Sequence, residues 1–211
     1  MQDGLNFYSA YFFICIICYI IGSFPTAYVI GRKIKNIDIR QYGSGNVGTT
    51  NAFRVLGKMW GVITLITDML KGFLPIYLVT LYMAFYNERP ENEENLVRLS
   101  AGLCLILGHI YTNFLGFKGG KGVATAAGFL LALTPPEMGL TIVIFIMTLL
   151  MSKMVSVASI FSALTYPLFL IIWKESRIII IFSIIISLLI IIKHRTNIQR
   201  IISGNENKIK F

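Results

Sequence analysis

Two short runs of small and polar residues interrupt an otherwise apolar chain, and they carry the side chains best suited to chemistry. The first run covers residues 43–51 and closes on Arg54, and the second covers residues 118–125 around Lys121. Glycine loses more conformational freedom on ordering than any other residue, so such runs usually serve a close approach of backbone to ligand. Successive backbone N–H groups in loops of this kind form concavities that bind anions. The two runs therefore predict a pair of loops that face each other and hold phosphate groups.

The two loops offer backbone amides, hydroxyls, side-chain amides and cations. A helix that starts near Asn51 would aim the positive end of its dipole back at the first loop, and Arg54 could bind a phosphate in a bidentate manner. Lys121 is flanked by glycines, so its ammonium can reach an anion without steric competition. The candidate phosphate-binding residues are Ser44, Gly45, Asn46, Gly48, Thr50, Asn51, Arg54, Gly119, Gly120, Lys121 and Gly122. The alternatives are a tight turn with ordinary helix capping for the first loop and, for Lys118, a cation that reaches lipid headgroups.

Two nucleotide-binding motifs resemble these loops superficially and are excluded by their context. Gly43, Gly45 and Gly48 match G-x-G-x-x-G, but no strand precedes them and no βαβ unit fits around them. The second loop has the wrong glycine spacing for a phosphate-binding Walker A loop, and Gly122 stands where a hydroxyl residue should follow the lysine. No pattern for binding nucleic acid competes with an anion site.

Three further ionisable residues lie inside apolar segments. Asp68 and Lys71 are three residues apart, so they can pair on one face of a helix. Ionisable groups at membrane depth are functional candidates by default, and a structural ion pair that fixes the helix after the first loop is an equal alternative. His109 and Asn113 are four apart and predict one helical face, on which a hydrogen-bonded packing histidine is the favoured interpretation.

The last candidate side chains stand near the end of the chain. His194 and Asn197 are spaced i,i+3 beside Arg200, and Ser156 and Ser159 have the same spacing at the start of an earlier apolar run. The alternative for the histidine and asparagine is a cap at the membrane interface. Nothing in the sequence brings three good metal ligands together, so we expect neither a metal nor another cofactor.

Membrane helices must position these residues. The 211 residues are 55% apolar and only 14% charged, with a mean hydropathy of +0.72, and the apolar residues form runs near the roughly 20 that a span needs. We predict an all-α integral membrane protein with a single domain over residues 1–211 and seven transmembrane helices. The candidate spans cover residues 5–30, 69–86, 96–115, 121–134, 138–151, 154–173 and 177–193.

Two segments leave alternatives for this topology. Residues 121–151 are split by prolines and form either a tight helical hairpin or one span with an interfacial helix. Residues 50–67 form either a short amphipathic helix or a re-entrant one. Five spans plus interfacial helices are the fallback for seven.

Charge sets the orientation of the helices. The chain carries a net charge of +9. Seven spans with the N-terminus outside and the C-terminus in the cytoplasm place fourteen lysines and arginines inside and four outside. This satisfies the positive-inside rule, whereas an even number of spans would put one basic end outside. Both loops, the start of the sixth span and the end of the seventh then lie on the cytoplasmic side.

Taken together, these motifs resemble the acyl-phosphate-dependent glycerol-3-phosphate acyltransferases, the bacterial membrane family called PlsY. The matching positions cover nearly the whole chain in the right order: residues 22–25, 43–51 with Arg54, 68–72 with Pro75, 108–109, 117–125, Ser156, Ser159, His194, Asn197 and Arg200. The sequence departs from the family at Thr49, where alanine is usual, and at Tyr111 and Thr112, which replace a more common Phe-Pro.

The resemblance implies an enzyme that transfers a fatty acyl group from acyl phosphate to the 1-hydroxyl of glycerol 3-phosphate, giving lysophosphatidic acid and inorganic phosphate. This is the first step of bacterial phospholipid synthesis. The residues implied to line the site are Ser44, Asn46, Arg54, Lys121, Ser159, His194 and Asn197, with Ser44, Lys121, Ser159 and His194 nearest the chemistry. The implied partners are the two substrates, membrane lipid and the enzyme that forms acyl phosphate, with no nucleic acid. The implied location is the bacterial cytoplasmic membrane, with the site on its cytoplasmic face.

Two other classes of protein compete with this interpretation. A transporter or channel for organic phosphates could use the same loops, but no internal repeat is present and the polar residues cluster at one face instead of at mid-membrane. A non-catalytic lipid-binding or assembly protein is disfavoured by the density of donors around Lys121.

Overall fold

The structure is a computed structural model that describes residues 2–85 and 91–209, and its regular secondary structure within them is entirely helical. The α-helices are α1 (Gln2–Ser23), α2 (Thr26–Lys35), α3 (Thr49–Leu56), α4 (Lys58–Phe85), α5 (Glu91–Ile110), α6 (Val123–Leu133), α7 (Pro135–Ser152), α8 (Val155–Ile172), α9 (Arg177–Lys193) and α10 (Arg195–Ile202). Two short 3-10 helices, Ile39–Gln41 and Asn113–Leu115, precede the two glycine loops. The predicted all-α class is confirmed.

Five helical segments of the described chain are long and apolar enough to cross a membrane: Ser9–Lys35, Lys58–Phe85, Glu91–Leu115, Pro135–Ser152 and Val155–Ile172. A sixth is obtained if α9 and α10, which meet at a bend of 58°, are taken as one span. The remaining predicted span, α6, has 11 residues. At 1.5 Å per residue it extends about 16 Å, against a hydrocarbon core of roughly 30 Å. The lengths of the helices therefore give five or six spans where the sequence predicts seven.

The structure corrects the predicted boundaries at two places. The second span begins at Lys58 instead of residue 69. Helix α3 is a separate short helix that ends at Leu56, because the next residue, Gly57, has a φ of +99° that breaks the helical path. The first span is interrupted at Pro25, which lacks the N–H that a continuous helix would use. The predicted break near residues 134–137 is confirmed, because α6 ends at Leu133 and α7 begins at Pro135. The break is shorter than predicted, since the two prolines occupy the first turn of α7, where a missing N–H is tolerated.

The chain divides into two compact units, the first ending at Leu133 and the second beginning at Thr134. In the first unit α1 packs on α5 and α4 packs on α6. Glycines allow these close contacts: a Cβ at Gly72 would overlap the carbonyl oxygen of Thr125, and one at Gly128 would overlap that of Met69. Small residues at helix contacts are the usual device in membranes, where lipid is as apolar as the side chains. They fix α6, and with it the second glycine loop, against α4.

In the second unit α8 packs on both α7 and α9, and α10 continues from α9 after the bend at His194. A hydrogen bond of 2.7 Å between the hydroxyls of Thr134 and Tyr166 joins the start of α7 to α8. The chain after α10 returns to the start of α8, where the N–H of Ile209 donates to the carbonyl of Lys153 at 2.7 Å. This return brings the last described residues next to the predicted site residues of α8 and α10.

Candidate functional site

The first glycine loop is held in place by one buried side chain, Asn51. Its Oδ1 accepts the N–H of Ser44 at 2.9 Å, and its Nδ2 donates to the carbonyls of Ile39 at 3.2 Å and Tyr42 at 3.1 Å. The side chain is 1% exposed. Its donors therefore hold the loop's own backbone, and this corrects the expectation that Asn51 donates to a bound anion.

Two glycines of this loop have a conformation that other residues adopt only under strain. Gly43 and Gly45 have φ of +62° and +70°, and a Cβ at Gly43 would overlap Oδ1 of Asn51. Asn46 is also partly engaged, because its Oδ1 accepts the N–H of Gly48 at 2.8 Å in a local turn. The loop is thus preformed by its own hydrogen bonds, with glycine needed wherever the backbone turns against Asn51.

The outer side of this loop carries the side chains that remain accessible. Ser44, Thr50 and Arg54 are exposed, whereas Val47 points into the protein. The first N–H groups of α3 have no acceptor within their own helix, as at any helix start, and the positive end of the helix dipole lies beside the loop. A hydroxyl, a guanidinium and open amides at one helix start make up a set of donors suited to a phosphate.

The second glycine loop lies along the end of α5. The N–H of Gly119 donates to the carbonyl of Ile110 at 3.0 Å, and the N–H of Gly120 donates to the carbonyl of His109 at 3.1 Å. Helix α6 begins directly after Gly122, which has φ of +82°. Lys121 lies between these fixed points and is half-buried, whereas Lys118 is exposed.

One hydrophobic cluster supports both loops. Val47 from the first loop and Leu115 from the turn before the second are buried in the same group of side chains. The other buried members of this group are Ala27, Ile39, Ala52 and Leu56. The first unit therefore brings the bases of the two loops together, as the sequence analysis expects.

Asp68 and Lys71 form a buried ion pair of 2.8 Å on α4. The hydroxyl of Thr26 donates to Asp68 at 2.8 Å, and Lys71 donates to the carbonyl of Phe24 at 2.9 Å. These bonds satisfy the backbone and side chains where Pro25 interrupts the first span. The geometry thus favours the structural interpretation, and the segment that the pair fixes is the break between α1 and α2, not the helix after the first loop.

His109 is buried near the end of α5, and its Nδ1 lies 3.2 Å from the hydroxyl of Thr125 on α6. This agrees with the interpretation as a hydrogen-bonded packing residue. The predicted common helical face with Asn113 is wrong, because α5 ends at Ile110 and Asn113 begins a separate 3-10 helix.

The second unit carries the other predicted site residues. The hydroxyl of Ser159 donates to the carbonyl of Val155 at 2.8 Å within α8. Nδ1 of His194 lies 2.8 Å from the carbonyl of Ile190. A carbonyl only accepts, so this contact assigns the proton of the neutral imidazole to Nδ1 and makes Nε2 the acceptor. His194 is thus oriented by its own helix with the basic nitrogen directed away from the bond to Ile190.

Glu206, which the sequence did not indicate as a site residue, forms hydrogen bonds with three side chains of the second unit. It accepts from Ser156 at 2.8 Å, Asn197 at 2.7 Å and Arg200 at 2.8 Å. Burial acts to raise the pKa of Glu206, but the hydrogen bonds from Arg200, Asn197 and Ser156 outweigh it and hold the pKa below its ordinary value. The available signal was that Glu206 is the only acidic residue after Glu175, in a tail that is otherwise basic.

The bond to Glu206 also orients Asn197. Because Nδ2 of the amide donates to the carboxylate, Oδ1 of Asn197 is directed elsewhere and can accept a hydrogen bond. Within residues 2–85 and 91–209, no group of three His, Cys, Asp or Glu side chains could hold a metal ion.

Comparison with known proteins identifies the family. Residues 12–204 match the family model described as glycerol-3-phosphate acyltransferase. The glycerol-3-phosphate acyltransferase of Fusobacterium nucleatum is 42% identical, with 96% of this chain and 100% of the relative aligned. That of Chlorobium luteolum is 41% identical over 94% of this chain and 96% of the relative.

This chain belongs to the glycerol-3-phosphate acyltransferase family.

Solved structures of the same family have the same fold. A crystal structure of PlsY, an integral membrane glycerol 3-phosphate acyltransferase in its glycerol 3-phosphate form, is 37% identical and covers 95% of this chain and 96% of its own, with a TM-score of 0.86. The lysophosphatidic acid form of PlsY gives 36% identity and a TM-score of 0.84. The resemblance to PlsY is confirmed, and with it the assignment of the chain as an integral membrane acyltransferase of this family.

Proposed function

We propose that this acyltransferase uses acyl phosphate as its donor and transfers the acyl group to the 1-hydroxyl of sn-glycerol 3-phosphate. The products are 1-acyl-glycerol 3-phosphate, which is lysophosphatidic acid, and inorganic phosphate. The observation that carries the proposal is the pair of glycine loops that share one hydrophobic cluster, each leading into the start of a helix and each accompanied by a cation, Arg54 or Lys121. A reaction between two phosphate-bearing substrates needs two anion sites. The glycerol 3-phosphate and lysophosphatidic acid forms of the PlsY relative support the acceptor and the product.

The proposed reaction is a direct attack of the glycerol hydroxyl on the acyl carbonyl carbon. The new ester C–O bond forms, the bond from the carbonyl carbon to the phosphate oxygen breaks, and the electron pair leaves with the phosphate. Phosphate is a good leaving group, so positioning and charge neutralisation supply most of the rate. The hydroxyl proton passes to a base, for which Nε2 of His194 and the phosphate of the substrate itself are the two candidates.

Most of the candidate site residues have a proposed role in this reaction. Lys121 and the amides of its loop stabilise charge that moves onto the leaving phosphate. The resemblance to PlsY implies that Arg54, His194 and Asn197 bind glycerol 3-phosphate, and that the hydroxyls of Ser44 and Ser159 are further donors to substrate. The remaining loop residues proposed to line the phosphate sites are Gly45, Asn46, Gly48, Thr50, Gly119, Gly120 and Gly122. The N–H groups of Gly45, Gly48, Gly119 and Gly120 donate within the protein, so these four glycines are proposed to shape the loops and not to donate to substrate.

Ser44 is a weaker candidate for a covalent acyl-enzyme nucleophile. In the part of the chain that the structure describes, no histidine, aspartate or glutamate side chain forms a hydrogen bond with its hydroxyl. A serine nucleophile is normally activated by an adjacent base. Direct transfer therefore accounts better for the geometry around Ser44.

We also propose that residues 1–211 act as one catalytic domain, since the family match extends from residue 12 to residue 204. The N-terminus lies outside and the C-terminus in the cytoplasm, because the excess of lysine and arginine then falls inside. Two topologies give this orientation. One has seven spans, with α6 and α9 as short members, and the other has five spans with interfacial helices. The loops then face the cytoplasm at the bacterial cytoplasmic membrane, where an enzyme that forms acyl phosphate can supply the donor and membrane lipid surrounds the helices.

The proposal is tested with the purified full chain in detergent, palmitoyl phosphate and glycerol 3-phosphate. We expect phosphate release that requires both substrates and yields lysophosphatidic acid. Lys121→Ala should reduce kcat/KM by about 100-fold, since one electrostatic donor is worth roughly that much, whereas Lys118→Ala is the matched control and should stay within about 3-fold, as expected of an exposed anchor. Intact acyl phosphate with every variant would overturn the proposal. Movement of glycerol 3-phosphate across vesicles without use of the donor would indicate a transporter.

A further inference from the structure

The imidazole of His109 packs against the backbone of the second glycine loop. His109 is 8% exposed at the end of α5, directly beneath the backbone of the loop that carries Lys121. Its carbonyl accepts the N–H of Gly120 at 3.1 Å. None of the reaction steps described above uses His109.

The contact between ring and loop leaves no room for a side chain. A Cβ at Gly120 would overlap Nε2 of His109, and a Cβ at Gly119 would overlap its carbonyl oxygen. The atom that meets Gly120 belongs to a buried aromatic ring, which cannot bend away as the end of a long side chain would. The imidazole of His109 therefore limits how closely the loop backbone can approach the end of α5.

The other side of the ring is fixed by the helix that follows the loop. Nδ1 of His109 and the hydroxyl of Thr125 are 3.2 Å apart, and both residues are buried. Thr125 is on α6, one turn after Lys121, and the carbonyl of Thr125 is packed against Gly72 of α4. His109 thus contacts the chain at Gly120 before Lys121 and at Thr125 after it.

We propose that His109 is a positioning residue for the acyl transfer: it holds the loop at residues 119–122 at the height at which Lys121 meets a substrate phosphate. The inference rests on the proposed function, because it concerns the same lysine. A displacement of about 1 Å in a positioned group can reduce catalysis by as much as about 100-fold, so this packing matters even though His109 does not touch the substrate.

Three variants separate the two contacts of the ring. His109→Asn retains an amide group near the position of Nδ1 and removes the ring atoms that face Gly120. Thr125→Val removes only the hydroxyl that orients the ring, with nearly the same volume. Gly120→Ala brings a Cβ into the ring. We expect reductions in kcat/KM of about 10-fold for the first two and about 100-fold for the third.

The decisive variant combines His109→Asn with Gly120→Ala. The smaller asparagine leaves space for the new Cβ, so the double variant should be at least about 5-fold more active than Gly120→Ala alone, the reverse of the additive loss expected for independent sites. Asn95→Ala is the control, because Asn95 is a buried polar residue of the same helix about 20 Å from the loop. It should lower the Tm while kcat and both KM values stay within about 2-fold.

Two outcomes would overturn the inference. One is that His109→Asn and Thr125→Val behave as Asn95→Ala does, with a lower Tm but unchanged kinetic constants. The other is that the double variant is no better than Gly120→Ala. A binding measurement distinguishes failure of this inference from failure of the proposed function. Inorganic phosphate and glycerol 3-phosphate should raise the Tm of the wild type. His109→Asn should reduce that rise in Tm, whereas Asn95→Ala should keep it. If the wild type binds but releases no phosphate from acyl phosphate, the donor assignment fails, and the binding result alone decides the role of His109.

Discussion

Replacement of Gly43 by alanine tests whether Asn51 and its glycine partner set the shape of the first loop. Gly43 has φ of +62°, and its Cβ would overlap Oδ1 of Asn51. Gly116 has the same φ of +62° and no atom within 4 Å of a Cβ. Gly116→Ala is therefore the matched control, since it introduces the same backbone strain without the contact.

The two substitutions should differ in the free energy of unfolding. A left-handed conformation destabilises an alanine by about 1–2 kcal/mol, and this is the whole effect expected at Gly116. Gly43→Ala also displaces Asn51 from its bonds to Ser44, Ile39 and Tyr42. At about 0.5–1.5 kcal/mol for each of the three bonds, together with the backbone strain, the total for Gly43→Ala is about 2.5–6.5 kcal/mol. For a chain of this size the expected falls in Tm are about 10 °C at Gly43 and about 4 °C at Gly116.

The assay is thermal unfolding in detergent, together with the initial rate of phosphate release. Gly43→Ala should also reduce kcat/KM by about 10–100-fold, because Ser44 moves with the displaced loop. Asn51→Ala should lower the Tm by a similar amount, and combining it with Gly43→Ala should add less than the sum, since both changes break the same bonds. Equal losses at Gly43 and Gly116, or full additivity with Asn51→Ala, would refute the assignment of Asn51 as the residue that holds the loop.

Three other substitutions test separate features. The hydroxyl of Thr49 is buried with no hydrogen-bond partner among the described residues, so Thr49→Ala should leave the Tm unchanged or raise stability by up to about 1 kcal/mol; a clear fall in Tm would contradict this. Glu206→Gln removes the charge that Arg200 binds and should lower stability by about 1–3 kcal/mol and reduce kcat; an unchanged Tm would show that this ion pair contributes nothing. The hydrogen bond from Arg40 holds the pKa of Asp38 at about 2, below its ordinary value of 3.8. A carboxyl whose pKa is lower in the folded state stabilises the fold above its unfolded pKa, and this stabilisation is lost as the pH falls through the folded pKa. The Tm of the wild type should therefore exceed that of Asp38→Asn above about pH 4, and the difference should disappear toward about pH 2. A difference in Tm that stays constant with pH would contradict the assignment.

The residues of the two loops could be predicted because their physical constraints are local. A glycine-rich polar run inside an apolar chain is costly wherever it lies, so it indicates a loop whatever surrounds it. Hydrophobic runs likewise report membrane helices without reference to neighbours. These features led to the acyltransferase family, which the comparisons confirm.

The role of Asn51 could not be predicted because it depends on which donors face inward. The sequence places five polar side chains in the loop at residues 43–51, and nothing in their order distinguishes the one that turns back on Ile39 and Tyr42. Glu206 was missed for a related reason. A carboxylate in a basic tail is usually solvated, and only the return of the chain to the start of α8 places it against Ser156.

Composition, charge and glycine spacing act over a few residues at a time, so they were enough to predict an all-helical membrane protein with two glycine loops, and the motifs in those loops carry the resemblance to the acyltransferase family. The folded structure was needed to show that α6 extends over only 11 residues, that Asp68 and Lys71 hold the break at Pro25, and that His109 lies against the loop of Lys121. Those features arise from contacts between helices far apart in the chain, and such contacts depend on packing geometry that no local pattern contains.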